Sequence, residues 1–286
     1  MEPADTARWI AYFRALESKR PDALFRDPFA QRLAGAAGAT MAHELGGVDI
    51  ISRAIAVRTA TFDQLITELV ATRFIGQVLN LAAGLDTRPW RLNLPVHLHW
   101  VDVDLPGLLA YKATILGCER PQCQYRAIAA DLTDSSSRQQ LLVEVTRDER
   151  VTLVVTEGFL VYLSPSQVAS LTQDLRKPPA IQWWLTDLVG PPALAILQQA
   201  WGSILGSEQI DSRQATFQFA PADSSEFFRS VGWQEHQYYA AREQARQFKR
   251  PMPLPWLAKW MLWCGTAARR EAFRRISGTA VLKVNA

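Results

Sequence analysis

The 286-residue chain predicts an α/β protein: a mostly parallel sheet with an antiparallel edge, preceded by a cap of helices. Three observations carry this expectation. The apolar run Val78-Leu79-Asn80-Leu81 meets a small-residue turn, Ala82-Ala83-Gly84. A second run, Leu98-His99-Trp100-Val101, ends in acid at Asp102-Val103-Asp104. Beyond them strand-like and helix-like segments alternate, and repeated β-α-β units imply a parallel sheet with right-handed crossovers.

Residues before about 75 read as helices. Trp9, Ile10, Phe13 and Leu16 recur at helical spacing. Asp27-Pro28 marks a helix start, with Asp as N-cap and Pro at the first helical position, running toward Gly35. Ile50 to Arg73 is a longer helical pattern, with Ile51, Ile55, Phe62, Leu65, Ile66 and Leu69 as its apolar stripe, closed by Gly76. The strands expected next are 77–81, 97–103, 125–129, 151–156 and 181–185. Helices are expected near 106–117, 134–147 and 165–175. Val151-Thr152-Leu153-Val154-Val155 reads as a largely β-branched run, as in a strand buried on both faces. Residues 190–225 resist placement. A short helix at 227–231 and strands at 233–239 and 279–284 complete the sheet. With no internal repeat or low-complexity linker, one domain over 1–286 is the simplest organisation. Residues 1–75 form its cap or lid, and 76–286 its α/β core with C-terminal substrate elements.

Composition narrows the function classes. A net charge of +3 does not suggest a nucleic-acid binder. The charge is uneven: from Ala240 onward the only acids are Glu243 and Glu271 among many Lys and Arg. That region reads as a solvated basic face, or as one that attracts an acidic substrate. The three cysteines, Cys118, Cys123 and Cys264, form no Cys-x-x-Cys pair, so neither a disulfide framework nor a zinc site is expected, and a reducing cytoplasm fits. His97 and His99 share a strand face, but no motif completes a metal site. No apolar run is long enough to span a bilayer, and the acidic N-terminus lacks a signal core. Trp256, Trp260 and Trp263 recur at i, i+4 and i+7. They read as core packing, as a wall for a large apolar substrate, or, with Arg269, Arg270, Arg274 and Arg275 close behind, as a membrane-surface contact.

Ligands of parallel α/β sheets bind beyond the carboxyl ends of the strands. The turn there has one glycine, not the Gly-x-Gly-x-x-Gly that brings backbone close to a pyrophosphate. Gly84 followed by Asp86-Thr87 points to a cofactor without phosphates, and S-adenosylmethionine is the common one. Asp104, about 20 residues on, is placed to accept hydrogen bonds from ribose hydroxyls. Asp102, one strand period earlier, competes for that role.

Several segments, in order, carry a resemblance to a known family: Arg14 to Phe25 with Asp27-Pro28-Phe29-Ala30, Arg58-Thr59 with Asp63, Leu81 to Arg88, Asp102 to Pro106 with Lys112, Asp131-Leu132, and Glu157 to Leu163. Together they resemble the bacterial branch of the leucine carboxyl methyltransferase-like family of class I S-adenosylmethionine-dependent O-methyltransferases, over residues 8–175. The resemblance implies a Rossmann-like methyltransferase sheet. It further implies a cofactor site formed by Lys19, Arg58, Ala82, Gly84, Asp86, Asp102, Asp104, Asp131, Leu132 and Glu157. In that scheme Arg58 takes the cofactor carboxylate with help from Lys19, Asp131 and the Leu132 amide read the adenine, and Glu157 lies beside the methionine part or the acceptor. Glu157 and Tyr162 are the catalytic candidates, Tyr162 as acceptor-pocket lining or core. The family usually has glycine at the position of Ala82, where a methyl fits only if the local φ is negative.

The expected reaction is O-methylation of a small secondary metabolite. No His or Asp dyad is apparent to serve as a general base. That favours an acceptor already ionised at neutral pH, a carboxylate or an acidic hydroxyl. The alternatives are a protein C-terminal carboxylate as acceptor, or a cofactor-binding cyclase or scaffold that transfers no methyl.

Overall fold

The computed structural model describes residues 3–44, 48–205, 217–251 and 266–285. Trp256, Trp260, Trp263 and Cys264 lie outside the described residues.

Seven strands form one sheet: β1 (Gln77–Leu81), β2 (His99–Asp104), β3 (Gln124–Ala129), β4 (Thr152–Thr156), β5 (Ile181–Val189), β6 (Trp233–Ala240) and β7 (Ser277–Val284). Their order is β3-β2-β1-β4-β5-β7-β6. The first five are parallel. β7 is antiparallel to both β5 and β6, so the antiparallel pairings gather at one end of the sheet.

The described helices are α1 (Pro3–Ser18), α2 (Ala30–Glu44), α3 (Val48–Thr72), α4 (Arg88–Arg91), α5 (Pro106–Leu116), α6 (Ser135–Val145), α7 (Pro165–Arg176), α8 (Pro191–Leu205), α9 (Ser224–Ser230), α10 (Ala241–Gln247) and α11 (Ala267–Arg274). Side-chain alternation on the strands builds two cores. Val78, Leu153, Val155 and Leu185 pack against the stripe Phe62, Leu65, Ile66 and Leu69 of α3. Leu79, Leu81, Val101 and Val154 pack on the other face, with Leu141 and Leu142 of α6 and Val168 and Leu171 of α7. β1 and β4 are buried throughout, as strands covered on both faces are, and their polar residues Gln77, Asn80, Thr152 and Thr156 are hydrogen-bonded.

The expected N-cap at Asp27 is present, slightly ahead of α2: its Oδ1 accepts from the amides of Phe29 and Ala30, both at 3.1 Å. Gly35, at φ 58°, kinks α2 rather than ending it. Two differences from the sequence reading matter for the site. β5 continues to Val189, four residues past its expected end. The segment that resisted placement opens with α8, whose start at Pro191-Pro192 after Gly190 is a helix signal that was present in the sequence. Past the undescribed stretch, Gln218 donates its amide to Val161 O at 2.7 Å, and the Phe217 carbonyl accepts from Gln198 of α8 at 2.7 Å. Phe217 and Phe219 are thereby held beside the short turn Leu160–Tyr162 that follows β4. No described helix is long and apolar enough to cross a membrane.

Candidate active site

A cavity of about 970 Å³ opens beyond the carboxyl ends of β1 to β5, under α1 and the start of α3. That is near the top of the range of roughly 300–1,000 Å³ usual for small-molecule sites. One face of α1 roofs it: Thr6, Ala7, Ile10 and Arg14 recur at helical spacing and all line it.

The strand tips supply its polar end. From the β3 side these are Asp131 and Leu132, then Asp104, then the turn Ala82 to Asp86, then Glu157. Asp104 is held rigidly, its Oδ2 accepting from Gly84 N and its Oδ1 from Leu105 N, both at 2.7 Å. An ionised carboxylate has about four acceptor sites, so about two remain for hydroxyls. Burial raises its carboxyl above the ordinary range, against those two amides. Gly84 sits at φ 52°, a conformation that side chains other than glycine resist. Asp131 is exposed, its Oδ1 accepting from the Thr133 amide (2.8 Å) and hydroxyl (2.7 Å), which lower its pKa.

Beside this row lies a chain of ion pairs. Arg91 forks onto Asp63 at 2.6 and 2.7 Å. Asp63 also accepts from Arg88 Nε at 2.7 Å. Arg88, 3% exposed, reaches Asp86 at 3.0 Å and Glu157 Oε2 at 2.8 Å. Glu157 Oε1 accepts from Arg58 Nε at 3.0 Å, and Arg58 Nη1 meets Asp187 of β5 at 3.3 Å. Burial opposes ionisation of Asp86 and Asp63, but the arginine charges outweigh it and hold both carboxyls below the usual range. Burial pushes Asp187 the other way, upward, with Arg58 opposing. Gly158, at φ 67°, donates its amide to Asp187 Oδ1 at 2.7 Å.

The remainder of the cavity is mostly apolar, walled by Trp9, Ile51 and Ile55 of α1 and α3, Leu197 of α8, Phe217 and Phe219, with Gln218 and Gln244 among its few polar residues. Tyr162 stands at its edge with its ring 5.1 Å from that of Phe217, and burial raises its phenol pKa.

Most of the sequence-derived site therefore converges on one cavity: Arg58, Ala82, Gly84, Asp86, Asp104, Asp131, Leu132, Glu157 and Tyr162 all line it. Two expected residues are not brought there. Asp102 is fully buried beneath the sheet end, where Lys112 Nζ (2.6 Å), Tyr125 OH (3.0 Å), Trp100 Nε1 (2.8 Å) and Asn80 Nδ2 (3.0 Å) saturate it. It is a structural acid, and of the two strand-end acids only Asp104 reaches the cavity. Lys19 follows the last residue of α1, off the face that roofs the cavity, and its ammonium bonds Gln31 Oε1 at 2.8 Å near the surface. The condition on Ala82 also fails. Its φ is 54°, so the methyl sits in a left-handed conformation and is strained. Sequence reading missed Arg14, Arg88 and Asp187. Arg14 donates to Leu85 O in the turn at 2.6 Å and to Asp27 at 2.9 Å, and Thr87 reaches the same Asp27 oxygen at 2.7 Å. Such contacts between distant segments leave no local signal, whereas an acid near the end of a parallel strand, as Asp187 is, does.

These residues fit S-adenosylmethionine. Acids at neighbouring tips match ribose hydroxyls and a sulfonium, and a guanidinium lies at the far end of the row. Thr59, another lining residue, carries a buried hydroxyl without a partner among the described residues, a cost that a bound polar group would remove. Among the described residues no cluster of His, Cys, Asp and Glu could hold a metal.

Comparison with known proteins agrees. Residues 7–176 match the family model described as leucine carboxyl methyltransferase. A relative from Frankia alni is 31% identical over 268 residues, 87% of this chain and 90% of that protein. One from Parafrankia is 36% identical over 184 residues, 60% of this chain and 58% of that protein. Both carry the name of S-adenosyl-L-methionine-dependent methyltransferases. The crystal structure of a DUF574 family protein from Streptomyces avermitilis shares the fold, with a TM-score of 0.61 at 14% identity over 98% of this chain and 97% of that one. Strand order, cavity and matched segments lead to one assignment: the chain belongs to the leucine carboxyl methyltransferase family of S-adenosylmethionine-dependent methyltransferases.

Proposed function

We propose that the protein transfers a methyl group from S-adenosylmethionine to an oxygen of a small, apolar-bodied molecule, a secondary metabolite bearing a carboxylate or an acidic hydroxyl. The observation that carries this reading is the continuity of the cavity. Its polar end matches the cofactor, and its apolar end, about as wide in chemistry as an aromatic or aliphatic body needs, lies directly beyond.

In this reading Asp104 accepts the ribose hydroxyls, and Asp131 with the Leu132 amide receives the adenine. Arg58 takes the α-carboxylate, and Glu157 and Asp86 compensate positive charge. The bound cofactor supplies an electrophilic methyl on a sulfonium. The chain's own task is to hold an acceptor oxygen in line with it and to exclude water, and positioning of this kind can contribute about 7–11 kcal/mol. The α1 face and residues 217–219 close the cavity around the acceptor body.

The experiment that tests this reading supplies labelled S-adenosylmethionine together with a bacterial small-molecule extract and, separately, with whole-cell protein. Label in base-stable ethers or base-labile esters of small molecules supports it. Label only in protein favours a C-terminal carboxylate acceptor. Tight cofactor binding with no transfer to either pool favours a non-methylating role.

A further inference from the structure

We propose that Asp187 receives the α-ammonium of the cofactor while Arg58 receives its carboxylate, so that the two side chains together read the amino-acid end as a zwitterion. This rests on the cofactor reading above and adds a residue to its site.

Sheet register brings two acids together under Arg58. Thr156 of β4 pairs with Thr186 of β5 in parallel, so Glu157 and Asp187 are the next residues along their chains. Neighbouring strands are about 4.8 Å apart. Arg58, reaching in from α3, spans both: its Nε meets Glu157 Oε1 at 3.0 Å and its Nη1 meets Asp187 Oδ2 at 3.3 Å. All three residues line the cavity. Asp131 follows β3 and Asp104 ends β2. An adenosine received at those two tips leaves the amino-acid end for the tips of β1, β4 and β5. Its carboxylate and ammonium are borne on one carbon. A guanidinium that takes the carboxylate therefore needs an anion beside it for the ammonium.

Of the two acids beside Arg58, Asp187 is the less satisfied. Both Glu157 oxygens face arginines, Arg58 at 3.0 Å and Arg88 at 2.8 Å. Asp187 Oδ1 accepts only from a neutral donor, Gly158 N at 2.7 Å, and Oδ2 has the long Arg58 contact. An ionised carboxylate has about four acceptor sites, so about two stay available to the donors of an ammonium. The side chain is 19% exposed, which leaves it reachable from the cavity. Burial raises its carboxyl above the ordinary range, Arg58 and the Gly158 amide oppose that, and the Glu157 charge adds to it. An acid so placed gains when a further cation arrives.

The charge of the linked groups points the same way. Asp63, Asp86, Glu157 and Asp187 are joined through Arg58, Arg88 and Arg91, which leaves one acid in excess. Arg14 does not offset it, since Arg14 pairs with Asp27, as Lys112 does with Asp102. Asp104 lies apart on β2, committed to the ribose in this reading. The excess falls at the Asp187 end of the set: Asp63 faces two arginines, and Arg88 is enclosed by Asp63, Asp86 and Glu157. The cofactor brings one carboxylate and two cations, its ammonium and its sulfonium. Linked groups and cofactor together are then neutral. A carboxylate placed on Arg58 beside two acids is tolerated because the ammonium arrives with it.

The test is calorimetry at neutral pH on the full protein with three probes: S-adenosylhomocysteine, its desamino analogue with hydrogen in place of the amino group, and 5′-methylthioadenosine, which lacks the amino-acid end. All three carry a neutral thioether, so the ammonium is the cation that distinguishes the first. The wild type should bind S-adenosylhomocysteine about tenfold or more tighter than the desamino analogue, as a charge-assisted bond predicts. Asp187→Asn and Asp187→Ser should both reduce that preference to about threefold or less while methylthioadenosine affinity stays within about twofold. Absence of the preference in the wild type overturns the inference. So does a preference that survives in the folded variants, or an equal loss of methylthioadenosine binding, which marks a merely structural role. Loss of the preference in Glu157→Gln but in neither Asp187 variant assigns the ammonium to Glu157 and overturns it too. If neither S-adenosylhomocysteine nor methylthioadenosine binds the wild type, it is the cofactor reading that falls.

Discussion

Ala82 occupies a left-handed conformation, φ 54°, at the start of the cofactor turn. A non-glycine residue there costs about 1–2 kcal/mol, and glycine's extra freedom in the unfolded chain gives back about 0.5–1 kcal/mol. Ala82→Gly should therefore raise the melting temperature slightly, by about 1–3 °C, and leave S-adenosylhomocysteine affinity equal or tighter. A fall of 2 °C or more would contradict the strain. Asp104 makes the opposite prediction. Asp104→Asn keeps the shape but replaces one oxygen that faces a backbone amide and removes the charge offered to the ribose. Cofactor affinity by calorimetry should fall about tenfold or more, as expected for a charge-assisted bond worth roughly 1.5–3 kcal/mol. At this scale the sequence was informative. A strand end, a turn glycine and an acid one strand later pointed to tips that line one cavity in the fold. It did not separate Asp102 from Asp104, because both lie on one strand face and only the packing of Lys112 and Tyr125 over the deeper one distinguishes them.

Among elements, the N-terminal helices are joined to the cofactor turn by few but specific contacts. Arg14 ties α1 to the Leu85 carbonyl, and Asp27 receives both Arg14 and Thr87. Glu17 binds Arg250 Nη2 at 2.8 Å and the Leu24 amide at 2.9 Å, fastening the same segment to residues after α10. Arg14→Met should loosen the cap without dissolving the sheet. Hydrogen exchange should speed up across α1 and α2 while β1 and β4 stay protected, and uniform acceleration would contradict this. Arg88 is a different case, because it sits between three carboxylates. Arg88→Met leaves Asp63, Asp86 and Glu157 under-compensated and should destabilise the whole domain by about 3–5 kcal/mol in chemical denaturation. Periodicity located the helices, but most of these partners lie far apart in the chain, Glu17 and Arg250 by 233 residues, and no local pattern reveals them. β5 was legible as a strand while its continuation to Val189 was not. The expected boundary at residue 185 left Asp187 in a loop and hid an acid that lines the cavity.

For the molecule as a whole, the ion pairs set the response to acid. Asp63 and Asp86 have folded pKa values below the ordinary one, so their stabilisation is present above about pH 4 and is lost as pH falls below that. Asp104 and Asp187 are raised, so their protonated forms favour the fold. That contribution is complete below about pH 4 and disappears as pH rises through their folded values. The melting temperature should hold level or rise slightly from pH 7 to about 5, then drop steeply below 4. A continuous decline from pH 7 to 5 would show that the raised acids are assigned wrongly. The parallel sheet and a cavity at its strand tips are legible from alternation of β and α segments in the sequence, whereas the strand order is seen only in the fold. The closure of the cavity by α1 and residues 217–219 depends on packing between the ends of the chain, which alternation does not encode. The most direct measurement is a crystal structure of the complex with S-adenosylhomocysteine. The account predicts ribose hydroxyls on Asp104 and the amino-acid carboxylate on Arg58, with the sulfur facing the apolar part of the cavity. A ribose remote from Asp104, or density away from the strand tips, would contradict it.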